Sequence, residues 1–436
     1  MLKFKACARS IQGRRQFIQQ EGLLLVGVDV SKSKHDACLG TQAGIMTRKL
    51  TFANDREGFD RLEEALRTHL RRIQGRQVLV AMEPSGIYWY GLYHRLRRCG
   101  YPVCLVDTKA VSNNRKTMPD GHSKTDPKDA RCIHDLLLQG KFFLPVQRDD
   151  ELAAAYRLLR RHMALKKRIS QVRNRLRGAL HLSFPELNAL IGDLTSPTSI
   201  RFLRANPTPE AVLRNGRKRF LSKWKPRRRC GQWRPEKLSR IYELAKRSIG
   251  LRDPYRTDEF EIRLLTDDLA DAVERAQLWL DKAIELLQHR DDFLRLLQLP
   301  RIGKATAAAI LCALGNIDEY DNGKQIVKLA GLDIRQFSSG ETIHRRPRIS
   351  HLGSAFLRHW TYFYALRLVA HEPPFTALHL RRKQRSPGKG AGQRALMAVC
   401  DKILRIIYRM LANQEDYCPQ RDKQLADYYG QNTQVA

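Results

Sequence analysis

The sequence predicts a mixed α/β domain followed by a long helical region. Three observations carry that expectation. Residues 22 to 52 alternate apolar and polar positions in three short bursts, "LLLVGVDVS", "HDACLGT" and "GIMTRKLTF", as consecutive antiparallel strands do. Residues 55 to 105 then switch between helical and buried-strand patterns, and from Glu151 onward the period is purely helical. With 436 residues the chain is too long for one compact domain, and two to four folded units are expected.

After the three strands, residues 55 to 73 read as a helix, "QVLVAMEPS" as a buried strand, "IYWYGLYHRLRRCG" as a helix closed by Gly100, and "YPVCLVD" as another buried strand. Three antiparallel strands followed by strand–helix alternation is the order of the ribonuclease H-like fold, a mixed sheet flanked by helices. From Glu151 to Leu182 a stripe of Leu158, Leu165, Ile169, Val172, Leu176 and Leu180 runs among many Arg and Lys. A second stripe, Ile262, Leu265, Leu269, Ala272, Ala276, Trp279, Ala283 and Leu286, keeps spacings of three and four, a heptad seam that wants a partner helix within the chain or on another copy. After Pro300, "LPRIGKATAAAILCALG" reads as a helix end, a glycine turn and an Ala-rich helix.

Lys and Arg number 79 against 45 Asp and Glu, a formal charge of +34. Such a chain expects a polyanionic partner, and nucleic acid is the commonest. An anionic membrane could serve instead, but the apolar runs fall short of the roughly 20 residues that span a bilayer, and the expectation is nucleic acid and no membrane partner. The basic start, "MLKFKACARSIQGRRQFIQQEG", lacks the apolar core of a secretory signal and reads as a cationic arm. Nine cysteines without a C-x-x-C pair read as reduced thiols in a cytoplasm. In "RKRFLSKWKPRRRCGQWRPEK", Lys223, Arg227 and Arg228 interleave with Phe220, Trp224 and Trp233. Cations on phosphates and exposed aromatics on unpaired bases would suit single-stranded nucleic acid or RNA, against the plainer reading of a solvated basic linker.

Four carboxylates stand out. Asp29 ends the first strand, Glu83 ends the fourth, and "SKTDPKDA" sets Asp126 and Asp129 three apart at a helix start, on one helical face. In a ribonuclease H-like sheet the first and fourth strands are neighbours, so these groups would converge. Crowded carboxylates need cations, and hard oxygen donors suit magnesium, one ion or two, beside a phosphodiester. Each residue alone has a duller reading as a cap or turn residue, Asp126 before Pro127 included. Asp36 and Asp107 are nearby acids that can also approach the cluster.

Residues 331 to 360 are dense in Ser, Gly and Arg. A serine beside glycine in an exposed loop, backed by Arg335, Arg345, Arg346, Arg348 and Arg358, has the access and the positive field to meet a phosphate. The residues alone favour a non-covalent phosphate grip. Gly303 and Lys304 in "RIGKAT" offer N–H groups at a helix start, although such glycine turns occur in any bundle.

The ordered set "GVDVSKSKHDACL", "AMEPSGIYWYGL", "SKTDPKDARCI", "LPRIGKATAAAIL" and "FSSGETIHRRPRISHLGSAFLR" resembles the DEDD-type insertion-sequence transposases, relatives of the Piv-type invertases, over most of residues 22 to 415. The resemblance implies a RuvC-like domain (22–148), two coiled-coil helices (149–184 and 256–298) and a helical transposase domain with a serine loop (299–415); the basic arm (1–21) and the basic Trp-containing insertion (185–255), read as an RNA-contacting elaboration, depart from the family's pattern, and residues 416–436 read as a polar tail. It further implies that Asp29, Glu83, Asp126 and Asp129 bind magnesium and that Ser339, with Ser338 one residue away, is the nucleophile that forms a phosphoserine with DNA. The partners it implies are double-stranded target and donor DNA, a bridge RNA that guides the reaction, and further copies of the chain, as a tetramer assembled from dimers. It places the protein in a bacterial or archaeal cytoplasm, at the nucleoid. Rival readings are a RuvC-like nuclease that hydrolyses branched DNA without a covalent step, a non-catalytic nucleic-acid scaffold, and a kinase that shares a strand-end aspartate. The last lacks the Gly-rich nucleotide loops it would need.

Overall fold

A computed structural model describes residues 11–117, 126–224, 233–339 and 343–420; for residue 126 and the segments 335–339 and 343–348 it describes the backbone alone. Arg227 and Arg228 lie outside the described residues. The chain divides into two compact units, residues 1–145 and 146–436.

The first unit holds strands β1 (Leu23–Val30), β2 (Lys34–Thr41), β3 (Gly44–Ala53), β4 (Gln77–Met82) and β5 (Val103–Leu105) in the spatial order β3-β2-β1-β4-β5. The three alternating bursts of sequence are the antiparallel β1, β2 and β3, and β4 pairs parallel to β1. The two faces of the sheet divide cleanly, because side chains alternate along each strand. Leu24, Val26 and Val28 pack with Val78, Val80 and Met82 beneath helices α2 (Arg56–Arg72) and α3 (Trp89–Arg98), through Leu62, Leu66, Leu92 and Leu96. Leu23, Leu25, Leu79 and Ala81 face the other way, toward α1 (Ile11–Ile18), α4 (Thr108–Lys116) and α5 (Asp126–Leu138).

Of the segment read as a cationic arm, residues 1–10 lie outside the described residues and helix α1 docks on the sheet. Phe17 and Ile18 are each 3% exposed in this second core, and Arg14 donates to the Gly140 carbonyl at 3.1 Å while lying over the Phe142 ring. Two apolar side chains at the end of one helical turn suffice to dock a segment whose net composition is basic.

The second unit is built on two long helices, α6 (Asp150–Ser183) and α12 (Thr257–Glu285). They pack on each other within the chain and run antiparallel: the His162 ring meets the Ala276 carbonyl at 2.7 Å, and the far end of α6 offers its Leu182 carbonyl to the N–H of Leu251 at 2.8 Å, just before α12 begins. Between them lie α7 (Pro185–Leu190), α8 (Pro197–Ala205), α9 (Pro209–Leu213), α10 (Gly216–Lys223) and α11 (Pro235–Lys246). The basic insertion is therefore largely a folded helical cluster, with a core that unites Ile169, Val172, Leu176 and Leu180 of α6 with Ile262, Leu269, Ala272 and Ala276 of α12.

That core also takes Phe220 and Trp224, which are 3% and 7% exposed, so the expectation of exposed stacking aromatics is not met. The two stand four residues apart at the end of α10 and form one inward stripe, where Phe202 packs against both rings and against half-buried Trp233, at 4.6 Å from the last. The surrounding cations cover the outside of this cluster, with Arg201 over Trp224 and Lys237 over Trp233.

At the other end of α6 and α12, Leu152, Ala155, Leu159 and Ala283 enter a second core with α13 (Asp291–Leu296), α14 (Lys304–Leu314), α15 (Gly323–Leu329), α16 (Ala355–His371), α17 (Pro373–Arg385) and α18 (Ala391–Ala412). Strands β6 (Ile334–Ser339) and β7 (Ile343–Ile349) form an antiparallel pair between α15 and α16. The serine thus ends a strand of a ribbon, where the sequence suggested an irregular loop.

Candidate active site

The parallel register sets Val28 of β1 level with Met82 of β4, so Asp29 and Glu83 are level one residue further on. Across the antiparallel pair, Asp29 stands opposite Asp36 of β2. By strand alternation Asp29, Asp36 and Glu83 belong to the face that packs on α5.

Gly27 is what brings α5 in. A Cβ there would stand 2.5 Å from the Ala130 carbonyl oxygen and 2.5 Å from the His134 amide nitrogen, both backbone atoms, so only glycine admits the helix at this distance. At Gly40, which pairs with Leu25, the His134 ring would stand 2.9 Å from such a Cβ. Helix α5 therefore descends from the level of Gly27 toward Leu25 as its numbering rises, and its first turn, Asp126 to Asp129, lies at the Asp29 end of β1.

Asp129 is 5% exposed and pairs with the Arg115 guanidinium of α4 at 3.0 Å. A carboxylate so buried costs several kcal/mol unless a cation compensates it, and Arg115 is the cation found there. Sequence reasoning missed Arg115, because nothing in "VSNNRKT" marks it as facing α5. The side chain of Asp126 lies outside the described residues. Asp36 is buried and accepts from the Thr51 hydroxyl of β3. Asp107 is a capping residue: its side chain accepts from the amides of Lys109 at 2.9 Å and Ala110 at 3.1 Å at the start of α4.

Among the described residues, no three acidic, His or Cys side chains converge closely enough to hold a metal ion. The side chains that Asp29, Glu83 and Asp129 bring to this end of the sheet are carboxylates, the donor type that magnesium takes. Among the described residues no disulfide forms, and Cys38, which stands opposite Gly27, is a buried thiol pushed up to about 11 by that burial.

The second constellation is described through its backbone. Ser338 stands opposite His344 and Ser339 opposite Ile343 in the β6–β7 ladder, while Arg335 faces Arg348. Arg345 and Arg346 lie on β7. His351 sits beyond the ribbon with φ +54°. Arg358 of α16 donates to the Ala330 carbonyl at 2.6 Å and so braces the turn before the ribbon, with Gly331 in the left-handed region at φ +67°. Lys304 begins α14, and Gly303 before it, at the N-cap, supplies no side-chain cap. Lys223 ends α10 and is exposed.

Two family models match the chain, one described as a transposase over residues 26–185 and one described as the transposase IS116/IS110/IS902 family over residues 294–380. The chain belongs to the IS110/IS116 family of transposases. Within this transposase the first match spans Asp29, Glu83, Asp126 and Asp129, and the second spans Ser339. A 44.8 kDa protein of insertion element IS116 from Streptomyces clavuligerus is 24% identical over 424 residues, 90% of this chain and 96% of the relative. A 43.6 kDa protein of insertion element IS110 from Streptomyces coelicolor is 24% identical over 398 residues, 89% of this chain and 94% of the relative. The pilin gene-inverting protein of Moraxella bovis is 28% identical over 137 residues, 31% of this chain and 41% of the relative. No helix among the described residues of the transposase is long and apolar enough to cross a membrane.

Proposed function

We propose that this transposase is an RNA-guided DNA recombinase that excises and inserts its own element through a covalent phosphoserine, at a magnesium site on a ribonuclease H-like, RuvC-like sheet. The observation that carries the reading is the register that sets Asp29 level with Glu83 on the face packed by α5, whose first turn carries Asp126 and Asp129. The charge of +34 supplies the affinity for a polyanion.

Asp29, Glu83, Asp126 and Asp129 would hold the metal. When bound, magnesium supplies charge neutralisation at the scissile phosphate and acidifies the serine hydroxyl. Ser339 Oγ forms a bond to phosphorus as the ester oxygen of the cut strand leaves, and the proton lost by the serine hydroxyl is balanced by the one that the departing oxygen takes up, through solvent, to become a strand-end hydroxyl. The phosphodiester energy is kept in the Oγ–P bond. Attack by a strand-end hydroxyl of the second DNA then restores the phosphodiester and frees the serine. Arg335, Arg345, Arg346 and Arg348 on the ribbon supply positive charge to the pentacovalent phosphate, and Arg358 holds the turn beneath it. Lys304 and Lys223 contact nucleic acid from the surface. Trp224 and Trp233 serve the insertion's core, which supports contacts to the RNA made by its outer cations. The partners are target and donor duplexes, a bridge RNA and further copies of the chain in a tetramer, in the cytoplasm at the nucleoid.

The test is an SDS-resistant protein–DNA adduct formed with the element's duplexes, its RNA and magnesium. Ser339→Ala should abolish the adduct and the cut, and Ser338→Ala should retain both. Cleavage without adduct in Ser339→Ala would instead make the protein a hydrolytic nuclease.

A further inference from the structure

We infer that the second unit carries a binding site for unpaired nucleotides, in the cavity walled by α15, α16, the loop between α17 and α18, and α18. The inference rests on the reading of the chain as a nucleic-acid recombinase and adds to it a place where bases leave the duplex stack.

The cavity measures about 1710 Å³, larger than the roughly 300–1,000 Å³ that single small ligands occupy. Its inner wall is apolar, formed by Val327, Leu332, Ile349, Tyr362 and Met397. Its rim is cationic: Lys324, Arg382, Arg385 and Lys389 line it, and none of the four has a carboxylate partner among the described residues. Two carboxylates reach the same space, and both are engaged, Asp401 by Arg405 at 2.8 and 3.0 Å and Asp333 by the Ser350 hydroxyl. The uncompensated charge is therefore positive.

The loop between α17 and α18, residues 386–390, is held in shape for an anion. Arg394 donates to the carbonyls of Lys389 at 2.8 Å and Ser386 at 2.7 Å, and Gly388 and Gly390 take φ +97° and +79°. Helix α18 starts directly after this loop with no side-chain cap on its first amides, and Lys389 stands beside them.

An apolar wall with a cationic rim selects among nucleic acids. A duplex turns its phosphates outward and keeps its base faces stacked, so it can satisfy the rim and leaves the wall unfilled. Unpaired nucleotides satisfy both, with phosphates on the rim and at the start of α18, and bases against Tyr362 and Met397. A small metabolite would fill too little of the volume.

The test is photocrosslinking of the full chain to oligonucleotides that carry 5-iodouracil, with excess unlabelled duplex present, in EDTA and on the Ser339→Ala background. Neither metal nor the nucleophile enters the result, so a failure of the cleavage reading leaves this test standing. Single-stranded probes should crosslink to the peptides that contain Tyr362 or Met397, and the same base within a duplex should not. Tyr362→Ala should lower single-strand affinity by about tenfold, the loss expected for one stacking partner. Ala398→Trp, which fills the cavity from α18, should remove those crosslinks while crosslinks elsewhere persist and the melting temperature stays near that of the parent. Deoxyribose and ribose probes, run in parallel, tell whether the site takes DNA or RNA. Crosslinks confined to other surfaces, or equal yields from duplex and single strand, would overturn the inference, as would Ala398→Trp crosslinking like the parent.

Discussion

The carboxylate end of the sheet and the serine ribbon are built by opposite means. The first sits on two central strands, paired on both sides and covered by a helix that a missing Cβ lets in at backbone contact. The second sits at the end of a sheet that has two strands among the described residues, an arrangement that is marginal alone. A metal site needs its ligands held within about half an ångström, which a buried sheet provides. A nucleophile that must reach, attack and withdraw from a DNA strand is better carried on a ribbon that its surroundings can move. On the proposed reading, the difference places rigidity where a cation would be gathered and reach where a strand would be exchanged.

Three changes probe this contrast, in order of expected effect. Leu176→Ala empties a fully buried position in the α6–α12 core and should cost about 2–5 kcal/mol, read as a lower melting temperature of the second unit, with cation binding by the first unit retained. Loss of cation binding in this variant would break the separation between the regions. Gly27→Ala should cost about 1–3 kcal/mol by forcing α5 off the sheet, and it should weaken cation binding as well, because the Asp126–Asp129 turn moves with the helix. A third change is of pH. Burial holds the His162 ring below its ordinary value, so the unfolded chain binds the proton more readily than the folded one. Stability is then full above about pH 6.5 and falls as pH drops below it, by at most about 1.4 kcal/mol per unit. His35 and His359 are held down by burial in the same way, so melting scans between pH 7 and 5 should show the fall, and His162→Gln should reduce it without removing it.

Much of the first region was legible in the sequence. The alternation of residues 22 to 52 gave β1 to β3, the burial of "QVLVAM" gave β4, and the neighbouring positions of Asp29 and Glu83 followed from that order. What escaped was set by tertiary contact. Arg115 meets Asp129 only because α4 lies on α5, and Asp107 and Asp29 look alike as strand-end acids until the amides of Lys109 and Ala110 claim the former. In the second unit, Phe220 and Trp224 looked exposed because cations surround them in sequence, yet a spacing of four turns them to one side of α10, and long basic side chains cover the cluster they join. Ser339 carries no sequence sign of the strand it ends, since neither "RQFSS" nor "IHRRPRI" alternates apolar with polar residues.

The central claim is that the end of the sheet gathers a cation, and titration of the full chain with manganese, followed by electron paramagnetic resonance, tests it most directly. The parent should bind manganese in competition with magnesium, and Asp29→Asn should weaken that binding by tenfold or more, about 1.4 kcal/mol or above. Asp107→Asn, at the capping residue, should bind as the parent does. Equal manganese affinity in the parent and Asp29→Asn would contradict the account.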